Sequence, residues 1–384
     1  MNYSEEALKQ HKEKQGKWAI TSLMPLETKD DLSVAYTPGV AAPCEAIAAN
    51  PDDAYLYTMK GRTVAVVSDG TSVLGLGDIG PMAGLPVMEG KAVLYKKYAN
   101  IDAVPIVLAS KEVDDIVQAV KMIAPTFGGI HLEDIAAPAC FAVEERLSRE
   151  LDIPVMHDDQ HATAIVTLAA LYNALRIVEK EIADIRVVIN GVGAAGVAIA
   201  DLLRAAGVVR IDMADSKGII AVGRAGMNAE KDRLARLLNP AGKTGSLAEV
   251  MQDADVVIGV SKPGVITREM VSSMASRAIV FALANPVPEI MPDEAKAAGA
   301  AVVATGRSDF ANQVNNVLVY PGIFRGLLDA HAHTLTMAMK LAAARALAQM
   351  VDQPTAEKII PSILDVNPAP FLAAAVAEEA RKMA

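Results

Sequence analysis

The sequence predicts an α/β protein folded as two domains, and three observations predict it. Nine short apolar runs alternate with alanine-rich helical stretches: TVAVVS (63–68), AVPIVLA (103–109), GGIHL (128–132), IPVM (153–156), IRVVIN (185–190), VRIDMAD (209–215), DVVIGV (255–260), AIVFALA (278–284) and AVVAT (301–305). The runs are apolar throughout, which marks parallel strands covered by helices on both faces. The length of 384 residues suits two domains. A long helical stretch opening at His161, HATAIVTLAALYNALRIVEKE, separates acid-tipped strands from a unit that begins on a glycine turn. The expected boundary lies near residue 160, giving domains of 1–160 and 161–384.

Composition narrows the partners. Hydrophobic residues make up 52% of the chain and aromatics 4%, so the cores are built from Ala, Val, Ile, Leu and 17 Met. A net charge of -10 argues against nucleic acid or an anionic membrane as partner. It leaves a small anionic substrate open, because local charge decides that. Cys44 and Cys140 have no nearby cysteine, which excludes a disulfide scaffold or zinc ribbon and fits a reducing, cytoplasmic setting. The N-terminal MNYSEEALKQHKEKQGKW is a charged helical pattern without an apolar signal core. No run approaches the ~18 apolar residues of a membrane span.

IRVVINGVGAAGVAIADLLRAAG reads as a strand, a glycine turn and a helix. Gly191, Gly193, Ala194, Ala195 and Gly196 form the turn, whose backbone N–H groups meet a pyrophosphate at the helix N-terminus. Asp215 ends the next strand, 19 residues past Gly196, where an acceptor for a ribose hydroxyl belongs. This context makes the second domain a Rossmann-type dinucleotide-binding unit rather than an α/β domain with an empty turn.

VMHDDQHATA (155–164) places Asp158 and Asp159 at a strand tip, and Glu133 and Asp134 stand in the same position after GGIHL. Parallel strands put both tips on one edge, where ligands bind. Carboxylates gathered there repel unless a cation sits among them, and hard oxygen ligands suit Mg2+ or Mn2+. The competing reading is that these acids cap the helices that follow. His157 and His161 have plain readings as a strand-end and a helix-start residue.

PVMEGKAVLYKKYANID (86–102) reads as a helix with Val87, Met88, Leu94, Tyr95 and Tyr98 on one side and Lys91 in their midst. Desolvation would push the pKa of such a lysine down and make it a general base. The alternative is a lysine stem snorkelling to water. Tyr36 sits in a Pro-Gly loop, Asn285 ends a strand in FALANP, and Asn316 belongs to an amide-rich stretch, NQVNNVLVYPG. Neutral amides bind a carboxylate without adding charge.

Together LSVAYTPGVAAPC, VLGLGDIGP, MEGKAVLYK, HLEDIAAPACF, HDDQHATA, GVGAAG, FALANPVPEI and NQVNNVLVYPGIFRG resemble the malic enzymes, in family order from about residue 32 to 329. The likeness is to the short bacterial form without a phosphotransacetylase-like domain. It implies oxidative decarboxylation of L-malate to pyruvate and CO2 with NAD or NADP and Mn2+ or Mg2+, oxaloacetate decarboxylation, and a homodimer or higher homo-oligomer. It assigns Lys91 as the base on the malate 2-hydroxyl and as a substrate contact, and Tyr36 as the acid that protonates the enol of pyruvate. It assigns Glu133, Asp134 and Asp159 as metal ligands, and Asn285 and Asn316 as contacts to the substrate carboxylate; Asn285 also lines the cofactor site. Lys217, two residues past Asp215, is a candidate partner for an NADP 2′-phosphate, against Asp215 as the hydroxyl acceptor of NAD. The chain departs from the family at Thr71 and Ser72, where large forms carry an arginine, and at Asp78, Ala162 and Gly322. These changes leave the fine substrate preference open. Two rival functions are a dehydrogenase of another 2-hydroxy acid without decarboxylation, and a non-catalytic dinucleotide sensor.

Overall fold

The computed structural model describes residues 3–73 and 75–382. Met1 and Asn2 of the N-terminal pattern, Leu74 of the DGTSVLGLG run, and Met383 and Ala384 lie outside the described residues. Each of the nine apolar runs holds a strand. β1 (Thr63–Ser68), β2 (Asp102–Val107), β3 (Gly129–Leu132) and β4 (Val155–His157) form one parallel sheet in the order β2-β1-β3-β4. β5 (Arg186–Asn190), β6 (Arg210–Asp215), β7 (Gly218–Ile219), β8 (Val256–Gly259), β9 (Ile279–Ala282) and β10 (Val302–Thr305) form the second, in the order β10-β9-β8-β5-β6-β7. β7 was not expected. It is two residues long and folds back antiparallel on β6, pairing Asp215 with Gly218, and so short a segment shows no periodicity. β1, β3, β8, β9 and β10 are buried at every residue, as unbroken apolar runs require.

The helices are α1 (Tyr3–Lys14), α2 (Lys29–Ala35), α3 (Ala41–Ala49), α4 (Ala54–Tyr57), α5 (Pro81–Ala99), α6 (Val113–Ile123), α7 (Ala139–Glu150), α8 (Asp158–Val178), α9 (Ala194–Ala205), α10 (Ala229–Leu238), α11 (Leu247–Met251), α12 (Arg268–Ser272), α13 (Pro292–Ala297), α14 (Tyr320–Asp329), α15 (Met337–Gln349) and α16 (Ala369–Arg381). α8 opens directly from β4. Contrary to the expectation that no run reaches such a length, its 21 residues are long and apolar enough to cross a membrane; 72% of the apolar window is buried inside the protein. Its apolarity serves a helix packed on all sides.

α14 and α16 return from the far end of the chain to pack on α5. Phe324 of α14 lies against β3, where a Cβ on Gly129 would stand 2.9 Å from its ring. One core therefore joins Val64, Val66 and Met156 of the first sheet to Val187 and Ile189 of the second and to Tyr320 and Phe324. α5 is held between the first sheet and the C-terminal helices, which is why a lysine on its inner side cannot reach water.

α1 to α4 contain no buried residue. More than half of the exposed large apolar side chains among the described residues precede residue 60, including Ile20, Leu23, Leu26, Val34, Tyr36 and Leu56. Lys17 ties this arm to α5, its backbone N–H donating to Glu89 and its ammonium to the carbonyl of Pro86.

Candidate active site

The tips of β1, β3 and β4 share one edge of the first sheet. The chain leaves β3 into Glu133 and Asp134, and β4 into Asp158 and Asp159. α5 brings Lys91 to this edge. Lys91 is 9% exposed, and its Nζ lies 2.5 Å from Asp158 Oδ2, 3.1 Å from Glu133 Oε2 and 4.6 Å from the centroid of the Tyr320 ring. The stem does not snorkel. Burial lowers the pKa of Lys91, but Asp158 and Glu133 more than offset this and hold it well above its ordinary value. That reverses the lowering inferred from helical periodicity, which shows burial and cannot show the two carboxylates facing the ammonium. Asp158 is fully buried and pushed up to about 6 by desolvation, with Lys91 as the main opposing influence. The Asn316 amide, at the start of a 3-10 turn, also donates to Asp158 Oδ2.

Asp158 and Asp159 thus part company, as successive residues at a strand end do. Asp159 turns to Glu133 and Asp134, and one oxygen from each of these three lies within 4.8 Å of the others. The Asp134 N–H donates to Asp159 Oδ2, while Asp134 Oδ2 is buried without a partner. Desolvation first, then Glu133 and Asp159, push Asp134 up to about 9; Asp159 is raised by desolvation and by Glu133. An orphaned buried oxygen and mutual repulsion are what a carboxylate cluster shows when a cation belongs in it. An all-oxygen donor set fits Mg2+ or Mn2+. The helix-cap reading fails for the second pair, because His157 is the N-cap of α8 and makes no side-chain cap bond.

Glu144 of α7 braces this corner instead. Its carboxylate accepts the N–H of His157 and the side-chain amide of Gln160, and meets Nε2 of His161, whose Nδ1 faces Lys340. These contacts occupy His161. The His157 ring is fully buried, with neither nitrogen hydrogen-bonded and Nδ1 3.9 Å from Asp159.

The second site is a groove of about 900 Å³ at the tips of β5, β6 and β8, lined by Gly191, Gly193, Asp215, Lys217, Lys231 and Lys262 among others. Gly191 has φ +123°, and a Cβ on Gly196 would stand 2.0 Å from the Gly191 carbonyl oxygen, so both glycines are obligatory in this turn. α9 starts at Ala194 and Ala195 with no side-chain cap on Gly193, leaving its first N–H groups for a ligand. Asp215 is more crowded than the sequence suggests. Its carboxylate accepts from the Lys217 N–H, from both terminal nitrogens of Arg224 and from Lys231 Nζ at 2.8 Å. Burial opposes ionisation, but these donors hold the pKa well below the usual range. Lys217 Nζ rests 2.6 Å from where a Cβ on Gly226 would be.

Asn285 follows β9 and lines a small pocket with Gly306, Arg307 and Gln313. A Cβ on Gly75 would stand 2.4 Å from the Asn285 carbonyl oxygen, so the segment carrying Gly75 reaches across to it. Ser72 N–H in turn donates to the Asp134 carbonyl, and the Thr71 hydroxyl accepts from Ala136 N–H. Tyr36 is not gathered into this cluster: it ends α2 and is 67% exposed.

Family models cover nearly all of this architecture. The model of the malic enzyme N-terminal domain matches residues 15–112 and 108–148, and that of the malic enzyme NAD binding domain matches residues 161–381. The chain belongs to the malic enzyme family. The bifunctional malic/malolactic enzyme of Bacillus subtilis is 56% identical over 383 residues, covering 99% of this chain and 93% of that protein. The NAD-dependent malic enzyme of Geobacillus stearothermophilus is 54% identical, covering 95% of this chain and 77% of the relative. Among solved structures, a malic enzyme from Pyrococcus horikoshii superposes with a TM-score of 0.95 at 49% identity, covering 99% of this chain and 91% of the other. An NAD-dependent malic enzyme from Thermotoga maritima gives 0.94 at 45% identity, covering 97% and 98%. The groove at Gly191–Gly196 lies within the part of the chain matched by the malic enzyme NAD binding domain.

Sequence reasoning missed two groups in the first site. Asp158, set aside in favour of Asp159, is the direct partner of Lys91. His131 lies between Tyr95 and Glu133, its Nδ1 2.7 Å from the Tyr95 hydroxyl and its Nε2 2.6 Å from Glu133 Oε2. A signal existed for His131: it lies on β3 two residues before Glu133, and Tyr95 stands one helical turn beyond Lys91.

Proposed function

We propose that this malic-enzyme chain oxidatively decarboxylates L-malate to pyruvate and CO2, reducing NAD or NADP, and that it also decarboxylates oxaloacetate. The carrying observation is the Lys91 ammonium held between Asp158 and Glu133 beside three converging carboxylates. Glu133, Asp134 and Asp159 would hold Mn2+ or Mg2+, which would supply Lewis-acid polarisation of the 2-oxygen and offset the negative charge that keeps a proton on Lys91. Lys91 would take the proton of the malate 2-hydroxyl, and a nicotinamide dinucleotide held at the glycine turn would accept the hydride from C2. Asp158, in hydrogen-bond contact with Lys91, is the group that exchanges protons with it. Asn316, anchored on Asp158, and Asn285 offer amide donors to the substrate carboxylates. Tyr36 returns a proton to C3 after CO2 departs.

The test is cofactor reduction with L-malate and Mn2+, with the carbon product identified and a chelator arm. Pyruvate formed only with metal present supports the proposal. Oxidation indifferent to chelator, with no CO2, would favour a different 2-hydroxy acid, and no reduction at all a dinucleotide sensor. Lactate in place of pyruvate would indicate the malolactic activity that the Bacillus subtilis relative carries in its name. Asp159→Ala is expected to weaken Mn2+ binding beyond the ~10–100-fold typical of losing a supporting residue, while NADH binding measured by fluorescence survives. Unchanged malate oxidation in that variant would remove Asp159 from the ligand set.

Both cofactors are proposed as substrates. A 2′-hydroxyl finds Asp215 already accepting from four donors, and a 2′-phosphate finds Lys217, Arg224 and Lys231 around one carboxylate. Lys231, whose ammonium pairs with Asp215 in the groove, discriminates more than Lys217, whose ammonium rests against Gly226. Lys231→Ala is expected to raise the KM for NADP about tenfold, the worth of a charge-assisted hydrogen bond, with NAD little changed and Lys217→Ala milder. Equal changes for both cofactors would exclude a phosphate role.

A homo-oligomer, of which a dimer is the simplest form, completes the proposal. The arm of α1 to α4 exposes apolar side chains and carries Tyr36. A second copy covering the arm buries them and provides a site for the phenol.

A further inference from the structure

We propose that His131 is a positioning residue of the metal site: it selects which oxygen of Glu133 is presented to the ion, and Tyr95 locks its ring from behind. The inference rests on Glu133, Asp134 and Asp159 holding a divalent ion.

His131 lies on β3 and Glu133 follows two residues on, just past the strand end, with the two side chains in contact. The ring and the Tyr95 side chain are fully buried, so neither finds water. A neutral imidazole offers one donor and one acceptor nitrogen. Two tautomers are conceivable, and the neighbours choose. With the proton on Nδ1, Nε2 would set a lone pair against Glu133 Oε2 at 2.6 Å. With the proton on Nε2, that nitrogen donates to Glu133 and Nδ1 accepts from the Tyr95 hydroxyl at 2.7 Å. The second arrangement satisfies every atom.

The ring cannot turn to escape this choice. It packs edge-on against Tyr95 and Tyr320, at centroid separations of 5.6 and 5.4 Å, and lies beside Phe324. Glu133 Oε2 therefore receives Nε2–H from one side and the Lys91 ammonium from the other. That oxygen is committed to protein donors, and Oε1 is left for the ion shared with Asp134 and Asp159. Without His131 the carboxylate is free to rotate, and the two duties of Glu133, holding Lys91 and holding metal, compete for the same oxygens.

Mn2+ titrated into the full chain, followed by the paramagnetic resonance signal of free Mn2+, reads this directly. His131→Leu is expected to weaken Mn2+ binding about 10–100-fold, the usual cost of losing a group that orients a ligand. His131→Gln, which keeps an N–H donor at similar reach, recovers most of that loss, and Tyr95→Phe, which removes a single oxygen, gives a smaller weakening. The Kd for NADH stays unchanged in all three. Equal weakening in the Leu and Gln variants overturns the assignment, since packing alone would then account for it. If His131→Leu does not fold, Tyr95→Phe and His131→Gln decide: wild-type affinity with Tyr95→Phe together with Leu-like failure of His131→Gln overturns it. Wild-type protein that takes up no Mn2+ overturns the metal reading and this assignment with it. Wild-type protein that binds while every variant binds equally overturns the assignment alone.

Discussion

Lys91→Ala is expected to lower kcat for malate oxidation by about a thousandfold or more, within the range of a lost general base on top of lost charge stabilisation. The same change should strain the fold. It leaves Asp158, fully buried, and Glu133 without their ammonium, and breaking a buried pair from one side costs about 3–5 kcal/mol. Asp158 is already pushed up to about 6 with Lys91 in place, and losing the lysine raises it further. A carboxyl whose pKa is higher folded than unfolded favours folding at low pH. That contribution is complete below about pH 4, the unfolded value, and is lost as the pH rises through 6 and beyond. The thermal midpoint of Lys91→Ala should therefore trail wild type most above neutrality and converge with it toward pH 5. A gap independent of pH would place the loss in packing rather than in unpaired charge. Tyr36→Phe should behave otherwise. Its loss falls on the final protonation, so it should still reduce oxaloacetate or pyruvate-type ketones better than Lys91→Ala. Equal loss of ketone reduction would refute the division of labour.

The scaffold was legible because burial writes itself into a chain locally. Val64 to Val67 or Val256 to Ile258 can be fully apolar only if both faces are covered, and that fact alone yields parallel strands. The acid pairs were legible for the same reason: a strand tip fixes which edge a residue occupies. What stayed hidden was pairing across sequence distance. Asp158 and Asp159 look alike in VMHDDQHATA, and only α5 and the 3-10 turn at Asn316, arriving from either end of the chain, claim the first and leave the second beside Glu133 and Asp134. Asp215 reads as a free acceptor until Arg224 and Lys231 close on it. The direction of the Lys91 shift was lost likewise, because periodicity reports depth and not the charge waiting there. His131 is the one omission that local pattern alone could have supplied, by its alternation with Glu133.

Mixed oligomers of Lys91→Ala and Tyr36→Phe are expected to regain activity that neither variant has alone. Tyr36 is 67% exposed, whereas Lys91 is 9% exposed within its cluster of carboxylates. Among the described residues, no hydrogen bond joins the Tyr36 hydroxyl to that cluster. A phenol that must reach C3 of a substrate beside Lys91 needs either a large movement of its own arm or a site on a neighbouring copy. The arm favours the neighbour. Its helices contain no buried residue, yet the arm carries Ile20, Leu23, Leu26, Leu32 and Val34 at more than half exposure, and a two-fold contact would bury both copies of this surface at once. If Tyr36 serves the partner's Lys91, each mixed dimer holds one site with both residues intact and one with neither. Random pairing of equal amounts makes half the dimers mixed, so about a quarter of the wild-type sites return. If Tyr36 serves its own chain, every site in every dimer lacks one residue and nothing returns. Co-expression under two affinity tags, with tandem purification of the mixed species and a malate oxidation assay, separates these outcomes. An inactive mixed dimer would place Tyr36 beside its own Lys91 and require the arm to move.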